Sequence, residues 1–274
     1  MAAQIPSAER LKAPPSWALA RVPGLSDGEQ PLMLAPLAGG SVNEVFRVDS
    51  RLGRFVLRLN GPAWRRPGVD RDRELALHRI AAGAGIAPPI VAADPEAEGL
   101  LIMQYQEGRV WRQQDFDDVE ALWRLGERLQ LLHALAAPAI EPFDPWSVAQ
   151  DYLRQIAAPP AAGPLARLEH CCAGLRGPAF GACIAHGDLA QNNLLEGSRL
   201  WLLDWEYAQL SDPLMDVACV LAYYPVAVRH RAELIAAAGL GAQATGDALS
   251  GRITVYQGLS WLWHLARGEA ARPP

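Results

Sequence analysis

One stretch constrains this chain more than any other. An apolar segment ending at Ala185 runs into the polar loop His186-Gly187-Asp188-Leu189-Ala190-Gln191-Asn192-Asn193, and a hairpin about Gly197-Ser198 then leads to Leu203-Asp204-Trp205-Glu206. With Gly197-Ser198 as a two-residue turn, glycine first suits a type II′ hairpin. Glu196 then faces Arg199 and Asn193 faces Leu202. Asp204 lies two residues past that partner, at the same end of the hairpin as Asn193, with Asp188 on the loop that feeds them.

An amide oxygen and a carboxylate brought together in this way are hard oxygen donors. They suit the divalent cations that bridge nucleotide phosphates in phosphoryl transfer. A second carboxylate, Asp188, placed just outside the metals, can orient an acceptor hydroxyl and take its proton. The bland alternative makes Asp188 and Asn193 turn formers and Asp204 a strand cap. Against it stands the scarcity of asparagine, with four in the whole chain, two of them at 192 and 193.

The rest of the chain divides by texture. Leu32–Leu37, Val42–Val48 and Arg54–Leu59 read as an antiparallel meander, with Gly39-Gly40-Ser41 as a turn. Val69–Ala84 reads as a helix, and Ile90–Ala93 and Leu100–Tyr105 as further strands. Beyond Gln106-Glu107-Gly108 the pattern becomes helical: Leu122, Leu125, Leu129 and Leu132 mark one helix face, and Asp144-Pro145 and Asp212-Pro213 are helix starts. The expectation is an α+β, bilobal fold. Residues 1–105 form a small antiparallel β lobe that begins with a loose arm or short helix over 1–30. Residues 106–274 form a larger α-helical lobe, with a hinge near 103–108.

The motifs His186–Asn193, Leu203–Ala208 and Asp212-Pro213-Leu214-Met215-Asp216-Val217-Ala218 resemble the aminoglycoside phosphotransferase/choline kinase superfamily, with choline kinase-like and thiamine kinase-like members nearest. The resemblance runs from about Leu37 to about Arg267. It implies a protein-kinase-like fold, ATP as co-substrate and Mg²⁺. Asp188 would be the catalytic base, Asn193 and Asp204 the metal ligands, and His186 a loop organiser. Gly39, Gly40, Ser41 and Asn43 would cover the phosphates, because a turn without Cβ atoms lets backbone N–H groups approach them. Arg58 would take the place of a phosphate-binding lysine, Lys12 being the only lysine in the chain. Glu74 would be its ion-pair partner, and Met103, Gln104 and Gln106 would form the adenine-side hinge.

Only about eight residues separate Asp204 from Asp212-Pro213, too few for a peptide-docking segment. The implied acceptor is therefore the hydroxyl of a small molecule. Trp261 and Trp263, with other aromatics of the helical lobe, suit a cation such as choline, thiamine or a similar amino alcohol. Glu206 and Asp216 are candidate substrate contacts. An aminoglycoside or sugar kinase is the alternative within the superfamily, and a nucleotide-binding module without catalysis or a metal hydrolase the alternative outside it. A net charge of −5 without a basic stripe argues against nucleic acid. Cys171, Cys172, Cys183 and Cys219 lack metal-ligand spacing and read as core residues of a reducing compartment. With no signal-like or membrane-spanning apolar run, the cytoplasm is the expected location.

Overall fold

The computed structural model describes residues 13–37, 43–61, 66–94, 99–175, 183–241, 244 and 246–273. The chain forms two compact units: Met1–Arg66 with Pro88–Glu107, and Pro67–Ala87 with Gly108–Pro274.

The first unit is an antiparallel sheet. β1 (Met33–Pro36), β2 (Glu44–Ser50), β3 (Gly53–Leu59), β4 (Ile90–Asp94) and β5 (Leu100–Gln104) lie in the order β1-β2-β3-β5-β4. Alternation along β2 and β3 sends Phe46, Val48, Phe55, Leu57 and Leu59 to one buried face. The short helix α1 (Ser16–Leu19) adds Ala18 to that core, and Val22 and Leu25 follow it. The described part of the N-terminal segment is thus a docked helix rather than a loose arm.

The second unit begins with α2 (Arg71–Gly83), whose N-cap Asp70 accepts the Arg73 amide. The sequence pattern groups this helix with the β lobe. Its buried face instead joins the helical core: Leu77 and Ala81 cluster with Ile86, Leu122, Leu125 and Leu202. Three-stranded β6 (Arg109–Val110), β8 (Leu194–Glu196) and β9 (Leu200–Leu202), and the pair β7 (Cys183–Ala185) and β10 (Gln209–Ser211), sit among the helices. The helices are α3 (Val119–His133), α4 (Pro145–Leu153), α5 (Ala162–Ala173), α6 (Leu214–Tyr223), α7 (Arg231–Ala237) and α8 (Gly246–Ala266). The leucine face of α3 is fully buried at 122, 125, 129 and 132, which contributes roughly 6–12 kcal/mol of gross hydrophobic stabilisation. Gly126 lies on the same helix, where a Cβ would come within 2.5 Å of the Ala237 Cβ and 2.9 Å of the Leu234 carbonyl. That glycine lets α3 and α7 pack in contact. Asp144 caps α4 as its sequence suggests, accepting the Trp146 and Ser147 amides. Among the described residues no helix is long and apolar enough to cross a membrane. The architecture is α+β, with an antiparallel sheet unit and a larger helical unit, as expected from the change of texture along the chain.

Candidate active site

β7 is a wholly buried triplet, and it delivers the loop His186–Asn193. Gly187 turns the chain with φ +76°, and a Cβ there would stand 2.6 Å from the Tyr207 carbonyl oxygen. Both facts require glycine. His186 is fully buried. Its Nδ1 accepts the Asp188 amide at 3.3 Å, and its Nε2 lies 2.9 Å from the Leu203 carbonyl. An imidazole that accepts at one nitrogen and donates at the other is neutral. Burial also depresses its pKa, against the opposing pull of the Asp216 charge. His186 therefore ties the Asp188 loop to the Asp204 segment and has no free nitrogen for acid–base chemistry.

The Asn193 amide nitrogen donates to the Asp188 carbonyl at 2.9 Å and to its Oδ2 at 3.0 Å. The carboxylate is held in orientation, and the Asn193 amide oxygen, opposite that nitrogen, is turned away from it.

The hairpin differs from its expected register. Leu194 pairs with Leu202, Leu195 with Trp201 and Glu196 with Leu200, so the loop has three residues. Gly197 is not in the left-handed region that a II′ turn needs, and its amide bonds instead to the Arg199 carbonyl at 3.0 Å. In consequence Asn193 faces Leu203, whose amide it accepts at 2.8 Å, and Asp204 follows that partner directly. Asp204 takes φ +57°, the one positive φ on a non-glycine residue among those described. A left-handed aspartate costs about 1 kcal/mol or more relative to glycine, and such strain gathers where a side chain must be aimed.

α6 holds the loop from behind. Asp216 is fully buried. It accepts the His186 amide at 3.1 Å, the Gly187 amide at 2.9 Å and His133 Nε2–H at 3.0 Å. Burial alone would push this carboxyl up, but the bonds from His133 and the loop outweigh it and hold the pKa below the usual range. A carboxylate with no exposed surface cannot meet an acceptor. The expectation of a substrate contact at Asp216 is therefore corrected: it positions the loop. One turn on, Cys219 Sγ accepts the Leu189 amide at 3.1 Å, and the Tyr224 hydroxyl accepts the Gln191 amide at 2.6 Å. Asp212 accepts the Leu214 amide at 2.8 Å and pairs with buried Arg252, whose Nε lies at 2.8 Å.

Glu206 is buried beside Arg71 at 3.4 Å, and Arg71 bonds Glu74 at 2.6 Å. These three form an ionic cluster in the core of the second unit. In the first unit, Arg58 is nearly buried on β3 and Asn43 precedes β2. Met103 and Gln104 close β5, followed by Gln106. Gly39, Gly40 and Ser41 lie outside the described residues.

A cavity of about 530 Å³ opens between α6, α8 and the C-terminal segment, lined by Tyr223, Tyr256, Trp261, His264 and Arg272 among others. No carboxylate appears in its described lining. Burial raises the Tyr223 phenol, with the Asp188 charge next, and burial also raises the Tyr256 phenol, with Cys219, Tyr223 and Asp188 following in that order. Trp261 reaches this cavity, but Trp263 does not. The Arg267 guanidinium lies over one face of the Trp263 ring at 4.6 Å.

The phosphotransferase enzyme family matches residues 34–251 of the sequence. The chain belongs to this family. As a phosphotransferase it is a small-molecule kinase with the protein-kinase-like fold of that superfamily. It is similar to a choline/ethanolamine kinase family protein from Mesorhizobium loti, with 26% identity over 91% of this chain and 83% of that one and a TM-score of 0.71. Its fold is also that of the choline kinase LicA from Streptococcus pneumoniae, at 18% identity over 88% of this chain and 89% of that one, TM-score 0.73. The macrolide 2'-phosphotransferase MphH from Brachybacterium faecium shares it too, at 23% identity over 92% of both chains, TM-score 0.62. No curated protein sequence matches the chain.

Sequence reasoning passes over His133, Cys219, Tyr256 and Arg71 in this phosphotransferase. The spacing of Asp216, Cys219 and Tyr223 on one helical face is the available signal for the α6 stripe. Nothing local marks His133, which reaches Asp216 across 83 residues.

Proposed function

We propose that this phosphotransferase moves the γ-phosphoryl group of ATP to the hydroxyl of a small cationic alcohol of the choline or thiamine type. The observation that carries it is the Asp188–Asn193 pair, fixed at 2.9 and 3.0 Å on a loop whose every anchor is buried. Asn193 holds the Asp188 carboxylate through Oδ2, fixing the orientation in which it would meet the acceptor. As the acceptor oxygen forms its bond to the γ-phosphorus, its proton passes to Asp188, the bond from the γ-phosphorus to the β,γ-bridging oxygen breaks, and ADP leaves.

Asp204 and the Asn193 amide oxygen would hold Mg²⁺. Among the described residues no group of three or more His, Cys, Asp or Glu side chains suits a metal. That fits Mg²⁺, which takes one or two protein oxygens and completes its shell with water and phosphate oxygens. When bound, it neutralises charge on the phosphates. Arg58 would add a fixed cation toward the nucleotide, Asn43 and the Gly39–Ser41 turn its phosphate contacts, and Met103, Gln104 and Gln106 the adenine side.

The cavity supports this acceptor class. Aromatic faces of Tyr223, Tyr256 and Trp261 attract a quaternary or ring-bound cation by about 0.5–2 kcal/mol each. The described lining offers no carboxylate for the several ammonium groups of an aminoglycoside.

The test is ADP release with Mg²⁺ across choline, ethanolamine, thiamine, kanamycin and an amino sugar, with Asp188→Ala as control. Turnover with one of the cationic alcohols, lost in the variant, supports the proposal. An undiminished rate in Asp188→Ala, or turnover with kanamycin alone, rejects it.

A further inference from the structure

Along α6, Asp216 and Cys219, with Tyr224 just past its end, take the amides of His186, Gly187, Leu189 and Gln191 in succession. The middle member is a thiol. Leu189 directly follows Asp188, and both Leu189 and Cys219 are fully buried, so water cannot replace the sulfur as partner of that amide. A buried N–H left unpaired is disfavoured. The Tyr256 hydroxyl touches the same thiol. The Tyr256 ring stands 5.2 Å from that of Tyr223, and both line the cavity. The thiol remains S–H, since burial and the Asp188 charge both disfavour its ionisation.

Building on the function proposed above, we propose that Cys219 is a positioning residue for Asp188. Its sulfur fixes the peptide that carries the base and, through Tyr256, joins that peptide to the wall of the acceptor cavity. The sulfur acts as an acceptor rather than as a space-filler. The proposal concerns this side chain alone, because the neighbouring anchors are a carboxylate and a phenol.

Two substitutions separate acceptor from volume. Cys219→Ser keeps an acceptor and is slightly smaller, and Cys219→Val loses the acceptor and is larger by about one methyl group. Each is assayed with choline and thiamine well below its melting temperature, and the Leu189 amide is followed by hydrogen exchange. The expected result for Val is a kcat about tenfold lower, the ATP KM within about twofold of the parent, and Leu189 exchange at least about tenfold faster. For Ser, kcat stays within about threefold and exchange stays near that of the parent. Should Val fail to fold, Cys219→Ala is compared with Ser in the same way. Val matching the parent, or Ser falling as far as Val, overturns the proposal. A parent protein without turnover counts against the proposed function instead. Leu189 exchange then still decides the role of Cys219, and unchanged exchange in Val overturns it.

Discussion

Replacing Asp216 with alanine strips three donors of their acceptor at once. The carboxylate is fully buried and receives the His186 and Gly187 amides and His133 Nε2–H at 2.9–3.1 Å. Each buried donor left unsatisfied costs about 1–3 kcal/mol, so the three cost roughly 3–9 kcal/mol, and the small cavity adds to that. Against a typical total of about 5–15 kcal/mol this is a large fraction. At about 2–4 °C per kcal/mol for a chain of this size, Tm should fall by at least about 6–12 °C. Asp216→Asn keeps one oxygen acceptor but aims an N–H at a former donor, so it should lose about half as much. Urea and thermal melts followed by circular dichroism read both variants, and a double-mutant cycle with His133→Ala isolates the His133–Asp216 contribution at about 1 kcal/mol or more. An Asp216→Ala protein within about 1 kcal/mol of the parent would refute the clamp. So would strict additivity in the cycle.

His186 has a depressed folded pKa. Its stabilising contribution is complete above about pH 6.5 and is lost at about 1.4 kcal/mol per pH unit as pH falls below that, until the folded pKa is reached. Thermal melts of the parent and of His186→Gln between pH 7.5 and 5.5 should therefore converge toward acid; parallel curves would contradict a neutral buried imidazole. Asp204→Gly relieves the left-handed strain at φ +57°. It should raise Tm by about 2–4 °C while abolishing turnover, and a lower Tm would show that the carboxylate stabilises the fold. Arg272 is the one exposed cation in the described cavity lining. Arg272→Gln should lower the KM for a cationic alcohol about two- to fivefold, whereas a raised KM in steady-state assays would point to an anionic acceptor.

The loop His186–Asn193 and Asp204 are legible in the sequence because their relation is local: one strand, one loop and one hairpin set it. The hairpin register is less legible, since Gly197 permits a II′ turn without requiring it, and the bond from its amide to Arg199 selects a three-residue loop. The helix 71–83 is read correctly as a helix, but its packing partner depends on Ile86, Ala87 and the α3 leucines far along the chain. Asp216 and Glu206 look like exposed acids in sequence. Only tertiary burial shows that their partners are loop amides in one case and Arg71 in the other. Trp261 and Trp263 are two residues apart on α8, so a helical step of about 200° sends one to the cavity and the other away from it.

The most direct test of the central claim follows the phosphorus itself. The protein is incubated with Mg²⁺, γ-³²P-labelled ATP and choline or thiamine, and the label is traced to the alcohol or to inorganic phosphate, in the parent and in Asp188→Asn. The account predicts label on the alcohol, reduced about 10²–10⁴-fold in the variant with ATP affinity unchanged. Label found only in inorganic phosphate, or equal transfer by Asp188→Asn, would contradict it.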